Sequence, residues 1–212
     1  MNSVPLVDRF IGEFDRGLRA LTKVNRTAQR HNPGDACREH ELTEQDRLSA
    51  GRMMRVNHAG EVAAQGLYHG QALTARNSET LQRMQESASE EEDHLAWCEQ
   101  RLEELQTPRS MIGPIWYFGS YAIGATAGLF GDRWSLGFVA ETEKQVEQHL
   151  TEHLGQLPAQ DQRSRAILEQ MKIDEQQHGE AARNLGGAEL PKPICNAMKL
   201  VSKVMTTGAY WV

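Results

Sequence analysis

Two copies of a Glu-x-x-His motif stand out among the residues that could do chemistry. The first pairs Glu91 with His94, and the second pairs Glu175 with His178. Residues three positions apart lie on one face of an α-helix, so each motif would present a carboxylate and an imidazole together. Because helices are rich in glutamate, a single such pair arises easily by chance. Carboxylates and imidazoles are also metal ligands, so two copies indicate a metal site.

A further glutamate precedes each motif at a similar distance. Glu61 lies 30 residues before Glu91, and Glu143 lies 32 residues before Glu175. If a short turn joins each pair into antiparallel helices, all four carboxylates lie at one height in a bundle. One glutamate from each of two helices, with Glu-x-x-His from each of the other two, is the ligand set of dinuclear sites in four-helix bundles.

Other polar side chains near these motifs could take part in the site. Glu141 or Glu147 could replace Glu143 as a ligand, and His58 and His149 could be alternative ligands or proton carriers. Glu90 and Asp174 each directly precede a candidate ligand, and from across the bundle they could orient a ligand imidazole. His149 is a further candidate for such a supporting role. The alternative for all of these residues is ordinary surface polarity.

The charge of the predicted site favours two divalent metal ions. Four buried carboxylates without counter-charge would be strongly unfavourable as anions, or would have to take up protons. Two divalent cations balance four negative charges and leave both imidazoles neutral. Oxygen and imidazole ligands without thiolate suit iron or manganese better than structural zinc.

Composition restricts the class of protein. A chain of 212 residues with 25% charged and 39% hydrophobic residues is typical of one compact domain and not of a polytopic membrane protein. The net charge of −6 and the lack of a Lys/Arg-rich run disfavour nucleic-acid binding. Three cysteines without a Cys-x-x-Cys indicate a reducing compartment and exclude a four-cysteine iron centre. Asp8 and Glu13 interrupt the N-terminus, so it does not resemble a secretory signal.

Hydrophobic periodicity predicts an all-α chain, and the ligand pattern indicates a ferritin-like four-helix bundle with extra N- and C-terminal helices. We predict a single domain, 1–212, in five parts: an N-terminal amphipathic helix and loop (1–42), a first helix pair (43–105), an apolar crossover (106–135), a second helix pair (136–187) and a C-terminal helix (188–212). Thr43 and Ser78 are the predicted N-caps of the first pair. The N-terminal helix either packs across the bundle or docks on a membrane surface or partner.

The crossover contains an uncharged stretch, residues 110–131, that is long enough to span a bilayer. A span would leave the two Glu-x-x-His motifs on opposite sides of the membrane, which the metal site forbids. We therefore predict a hairpin lying in the membrane interface, with Trp134 beside it. The predicted membrane contacts are Ile115, Trp116, Tyr117, Phe118, Leu129 and Phe130. The alternative is a crossover buried against the bundle or in a subunit contact.

Several of these motifs together resemble the demethoxyubiquinone hydroxylase family. The resemblance runs from about residue 49 to 179 and includes Asn57-His58-Ala59-Gly60-Glu61, both Glu-x-x-His motifs and the glycine-rich crossover. It implies that the family's six iron ligands fall on Glu61, Glu91, His94, Glu143, Glu175 and His178. The match is thinner at the third ligand helix, where this chain has Glu141-Thr142-Glu143-Lys144 and the family often has paired acids.

What the resemblance implies is a diiron monooxygenase of ubiquinone biosynthesis. Such an enzyme uses O₂ and an external reductant, with NADH among the candidates, to hydroxylate the ring of a polyprenylated demethoxy-benzoquinol. It implies a peripheral membrane protein, on the cytoplasmic face of the cell membrane if bacterial, and leaves open a homo-oligomer or association with other ubiquinone-synthesis proteins. The other interpretations are a ferritin-like iron-oxidising protein, a manganese catalase, a diiron quinol oxidase and a non-catalytic helical adaptor at a membrane surface.

Overall fold

The chain is described by a computed structural model that covers residues 28–38 and 41–212. The predicted N-terminal amphipathic helix lies outside the described residues. Within them the fold is all-α, with a short 3-10 helix, Pro33–Ala36, and six α-helices. These are α1 (Glu44–Thr74), α2 (Ser78–Glu104), α3 (Gly113–Leu129), α4 (Asp132–Gln156), α5 (Gln162–Asn184) and α6 (Lys192–Trp211). The predicted ferritin-like bundle is confirmed, and α1, α2, α4 and α5 are its four helices.

Local signals begin and end most of these helices where the sequence predicts. The Thr43 hydroxyl accepts a hydrogen bond from the Asp46 amide at 3.1 Å and so caps α1. Gly186 adopts a φ of 91° just after α5, a backbone conformation that favours glycine and ends the helix. The prediction of Ser78 as the cap of α2 is wrong, because the Asn77 side chain accepts from the Glu79 amide instead.

One helix begins earlier than predicted, and the last helix ends where the sequence predicts. Helix α4 begins at Asp132, inside the predicted crossover, because the Asp132 carboxylate accepts hydrogen bonds from the backbone amides of Arg76 and Asn77. This contact fixes the start of α4 at the α1–α2 turn. Helix α6 lies within the predicted C-terminal part, and its last turn is held by Arg55, whose Nε donates to the Ala209 carbonyl at 2.8 Å.

The crossover is a single helix and not the predicted hairpin. Helix α3 packs along α1 in the same direction, which returns the chain to the α1–α2 turn, where α4 starts. The contact is backbone to backbone: a Cβ on Gly66 would collide with the Tyr117 carbonyl, and one on Gly124 with the Leu67 carbonyl. Glycine at position 66 therefore allows α3 to lie close to α1. Within the described residues, no helix is long and apolar enough to cross a membrane.

The two largest apolar clusters of the described core lie at different heights in the bundle. One, around Trp97, Leu150 and Leu168, is built from the N-terminal part of α1 and the neighbouring parts of the other three helices. The other is formed around Tyr68, Met84 and Leu136, nearer the α1–α2 turn. On each of the four helices, the candidate ligand glutamate (Glu61, Glu91, Glu143 or Glu175) falls between these two clusters in sequence. The clusters therefore enclose a polar layer from above and below.

Candidate metal centre

Six buried side chains meet in the layer between the apolar clusters. Their ligand atoms form two groups, and within each group all of them lie within 4.8 Å of one another. The first group is Glu61, Glu91, His94 and Glu175, and the second is Glu91, Glu143, Glu175 and His178. Glu91 and Glu175 belong to both groups. This arrangement could hold two neighbouring cations, with two shared carboxylates between them.

Both imidazoles direct the same nitrogen towards this layer. His94 Nδ1 lies 2.9 Å from Glu91 Oε2, and His178 Nδ1 lies 3.2 Å from Glu91 Oε1. The opposite nitrogens face outer carboxylates: His94 Nε2 is 2.8 Å from Asp174 Oδ2, and His178 Nε2 contacts Glu90. An outer carboxylate favours the tautomer with hydrogen on Nε2, which leaves the Nδ1 lone pair for a metal.

Unpartnered atoms in the layer support the fit to a metal pair. Glu61 Oε2, Glu91 Oε1, Glu175 Oε2 and His178 Nδ1 are buried without a hydrogen-bond partner. Buried polar atoms usually have partners, and several unpaired acceptors in one place require an explanation. Two divalent cations would supply a partner to all of them and balance the four carboxylates. The donor set, which holds oxygen and imidazole nitrogen without thiolate, suits iron or manganese.

The pKa values in the layer describe how it is balanced when no metal is bound. Burial, followed by repulsion from neighbouring carboxylates, raises the pKa of Glu61 and Glu143 well above the usual range. At Glu91 and Glu175 burial is outweighed by the facing imidazoles, which lower the pKa. Burial opposes the charged imidazole of His178, yet its attraction to the facing carboxylates of Glu175, Glu90 and Glu91 raises its pKa to about 12. In the metal-free layer, protons on Glu61, Glu143 and His178 supply the positive charge that two cations would supply. Metal binding would therefore release protons.

The structure distinguishes among the alternative ligands on α4. Glu143 is buried in the layer, whereas Glu141 is hydrogen-bonded to Gln145 at 2.8 Å and Glu147 to Gln176 at 2.6 Å. Neither alternative belongs to the two ligand groups. The side chain that faces the other three helices at this height is therefore Glu143.

The two alternative histidines also lie outside the ligand groups. His58 Nε2 is 3.4 Å from Glu99, and the His149 ring lies 4.0 Å from the ring of His153. His149 therefore does not support a ligand imidazole, contrary to the prediction. Glu90 and Asp174, in contrast, do contact the imidazoles across the bundle, as the spacing predicts.

Two residues next to the layer were not predicted. The Tyr68 hydroxyl donates to Glu143. Tyr68 lies two helical turns after Glu61 on the same face of α1. Helical periodicity could therefore have placed its side chain beside the layer. Arg30 contacts Asp174, but no local pattern links a residue in the N-terminal segment to α5.

The predicted membrane residues divide into three groups. Ile115, Phe118, Leu129 and Phe130 are largely exposed, and Trp134 is also exposed. Trp116 is half-buried and packs beside Ala209 of α6. The prediction for Tyr117 is wrong, because its side chain is buried against α1 and its hydroxyl lies 2.8 Å from His69 Nδ1.

Comparisons with known proteins agree with this architecture over nearly the whole chain. Residues 49–209 match the family model for "Ubiquinone biosynthesis protein COQ7". A protein of Ralstonia pickettii is 55% identical over 216 residues, which covers 97% of this chain and 99% of the relative. One of Polynucleobacter necessarius is 56% identical over 205 residues, covering 96% and 98%. One of Nitrosococcus oceani is 53% identical over 206 residues, covering 97% and 96%. All three are named 3-demethoxyubiquinol 3-hydroxylase. The resemblance seen in the sequence is thus confirmed, and this chain belongs to the COQ7 family.

Proposed function

We propose that this protein is a 3-demethoxyubiquinol 3-hydroxylase that works with two iron ions. The observation that carries the proposal is the buried layer in which two four-ligand groups share Glu91 and Glu175. Relatives that are more than 50% identical along nearly their full length carry this name, which points to the same reaction. The ligands of the two irons would be Glu61, Glu91, His94, Glu143, Glu175 and His178.

The chain's own residues hold, orient and shield such a centre. Bound iron would supply the activation of O₂ and the electrons for hydroxylation, with re-reduction by an external donor such as NADH. Asp174 and Glu90 fix the imidazole tautomers, and the Tyr68 hydroxyl holds one oxygen of Glu143. The apolar clusters on either side limit access of water to the layer.

An apolar groove beside the layer suits a substrate with a prenyl tail. A cavity of about 320 Å³ lies between α1, α3, α4 and α6, and its lining includes Gly60 and Thr142, the neighbours of Glu61 and Glu143. A second, almost wholly apolar cavity of about 570 Å³ shares Ile123, Phe138 and Ile194 with it. The ring would lie at the inner end, near the ligands, and the tail would follow the groove outward.

The outer surface next to this groove supports a place on a membrane. Helix α3 exposes Ile115, Phe118 and Leu129, and α6 exposes a second apolar set: Leu200, Val201, Val204 and Trp211. Contiguous exposed apolar surface marks a site of interaction with a protein or a membrane. Because the substrate is a lipid, we propose peripheral attachment through these two helices, on the cytoplasmic face of the bacterial cell membrane.

A turnover assay with labelled oxygen tests the proposal. Purified, iron-loaded protein would receive a demethoxy-benzoquinone with a short prenyl tail, a reductant and ¹⁸O₂. We expect one labelled oxygen on the ring, read by mass spectrometry, and its loss in Glu91→Ala. Glu147→Ala, which changes a glutamate outside the layer, should retain the product.

The same assay separates the other interpretations. Quinol oxidised without insertion of oxygen would indicate a diiron quinol oxidase. Two bound irons without any quinone chemistry would favour a ferritin-like iron-oxidising protein. Peroxide disproportionation by a manganese-loaded sample, again without quinone chemistry, would identify a catalase.

A further inference from the structure

Arg30 joins the segment that precedes α1 to the two helices that carry the Glu-x-x-His motifs. Its Nε lies 2.9 Å from Asp93 Oδ2 on α2, and its Nη1 lies 2.8 Å from Asp174 Oδ2 on α5. The guanidinium also lies over the Trp97 ring, 4.9 Å from its centroid. The backbone amide of Gln29 donates to Asp93 Oδ1 at 2.6 Å, which fixes the segment at this point. One planar cation thus holds two carboxylates from different helices.

The contact with Asp174 leads directly to the metal layer. Asp174 Oδ2 accepts from Arg30 and from His94 Nε2, while Asp174 Oδ1 accepts from Gln170 Nε2 at 2.9 Å. Both oxygens of this buried carboxylate are therefore occupied. Without the guanidinium, Asp174 would be a buried anion facing a neutral imidazole, which is an unfavourable arrangement. Arg30 stabilises the ionised, oriented carboxylate that His94 needs.

The second imidazole lacks an equivalent support. Its outer partner Glu90 is 41% exposed, against 6% for the Asp174 side chain. Among the described residues, no arginine or lysine forms an ion pair with Glu90 within 4 Å. Its ion-pair partner is His178 itself, and Arg83 and Arg30 act on it only from a longer distance. A solvated, singly held glutamate fixes a ring less firmly than a buried aspartate held on both oxygens. The two halves of the layer are thus built with different rigidity.

We propose that Arg30 is a positioning residue that acts through Asp174 on His94, and that it makes the metal position at Glu61 and His94 bind more tightly than the position at Glu143 and His178. The inference rests on the metal centre of the proposed function. Arg30 lies outside the four bundle helices, and its effect would be that the first iron ion fills the position at Glu61 and His94. Loss of an outer partner typically weakens metal binding by about 10- to 100-fold.

Anaerobic calorimetric titration of metal-free protein with Fe²⁺ tests the inference without any turnover. Wild type should bind two ions in two steps of different affinity. Arg30→Met should weaken the tighter step by about tenfold or more and leave the weaker step unchanged. Glu90→Gln should weaken the weaker step and leave the tighter step unchanged. In an Asp174→Asn background, Arg30→Met should have almost no additional effect, because the residue through which it acts is already altered.

Arg163→Met is the matched control for a general loss of stability. Arg163 on α5 also holds the N-terminal segment, through Asp35 at 2.9 Å and the Gly34 carbonyl at 3.1 Å, and does not contact Asp174. It should lower the melting temperature and leave both Fe²⁺ affinities intact. If Arg30→Met and Arg163→Met change Fe²⁺ binding alike, or if Arg30→Met leaves both steps unchanged, Arg30 has no positioning role. A wild type that binds no iron pair would instead overturn the proposed function, and this inference with it.

Discussion

Glu143 shares helix α4 with two other glutamates, and burial gives the three residues different roles. Glu143 faces the layer and accepts from Tyr68, whereas Glu141 and Glu147 pair with glutamine side chains outside it. We expect Glu143→Ala to lose bound iron and to reduce turnover by more than the roughly 10- to 100-fold typical of outer-shell partners. Glu141→Ala and Glu147→Ala should retain both the bound iron and the turnover. Iron content by mass spectrometry and quinol turnover decide the matter, and full iron occupancy in Glu143→Ala would contradict the ligand assignment.

His153 is a buried histidine whose protonation is linked to stability. Burial, and then the neighbouring His149, lower the pKa of His153 to about 3, while its Nδ1 lies 2.9 Å from the Asn57 side-chain oxygen. Between pH 6.5 and 3 the unfolded chain therefore binds a proton that the folded chain excludes. This residue's contribution to stability is fully present above pH 6.5 and is lost as the pH falls.

The expected slope is about 1 kcal/mol per pH unit below pH 6. It should be seen in urea unfolding of metal-free protein at pH 7, 6 and 5. His153→Gln, which keeps a side-chain donor for Asn57, should flatten the curve by that amount. An unchanged slope would show that other groups dominate the pH dependence.

At the scale of elements, the α1–α3 contact depends on glycine. A Cβ on Gly124 would collide with the Leu67 carbonyl, whereas a Cβ on Gly119 of the same helix would meet no atom of another element within 4 Å. Gly124→Ala should therefore cost about 1–3 kcal/mol of unfolding free energy, because backbone must move. Gly119→Ala should stabilise α3 by up to about 1 kcal/mol. Urea unfolding of both variants is the measurement, and equal effects would contradict the close contact.

Local sequence signals predict the bundle helices but not the contacts between helices. The four bundle helices and the height of the acid layer follow from local periodicity and from distances to the turns, so the sequence predicts them. The hairpin is wrong because glycines suggest a turn until the partner helix is known, and here they face the backbone of α1. Ser78 and Asn77 are both good caps, and only the geometry of the turn selects Asn77.

For the whole molecule, the apolar surface of α3 and α6 makes membrane binding testable. The double variant Ile115→Glu/Phe118→Glu places two charges on the exposed face of α3 and should reduce partition onto vesicles by roughly tenfold or more. Ile173→Glu changes an exposed apolar residue of α5 and is the matched control. Cosedimentation with liposomes is the readout, and equal binding of all variants would exclude α3 as the contact.

Long-range contacts mark the limit of what the sequence predicts about the candidate site. The six proposed ligands have characteristic types and spacing, and Glu90 and Asp174 adjoin two of them. Arg30 lies far from Asp174 in the chain and meets it only because the N-terminal segment crosses α2 and α5. Sequence periodicity does not predict where a segment crosses other helices. The contact of Arg30 with Asp174, which supports His94, is therefore known only from the three-dimensional structure.

The groove between α3 and α6 has a kinetic consequence. If its outer end meets the lipid phase, neither quinol nor product needs to pass through water, and encounters occur in two dimensions. Turnover should then follow the mole fraction of quinol in the bilayer and not its concentration in the tube. Adding quinol-free lipid to the same vesicles at constant total quinol should slow the enzyme in proportion to the dilution. An unchanged rate would place substrate capture in the aqueous phase.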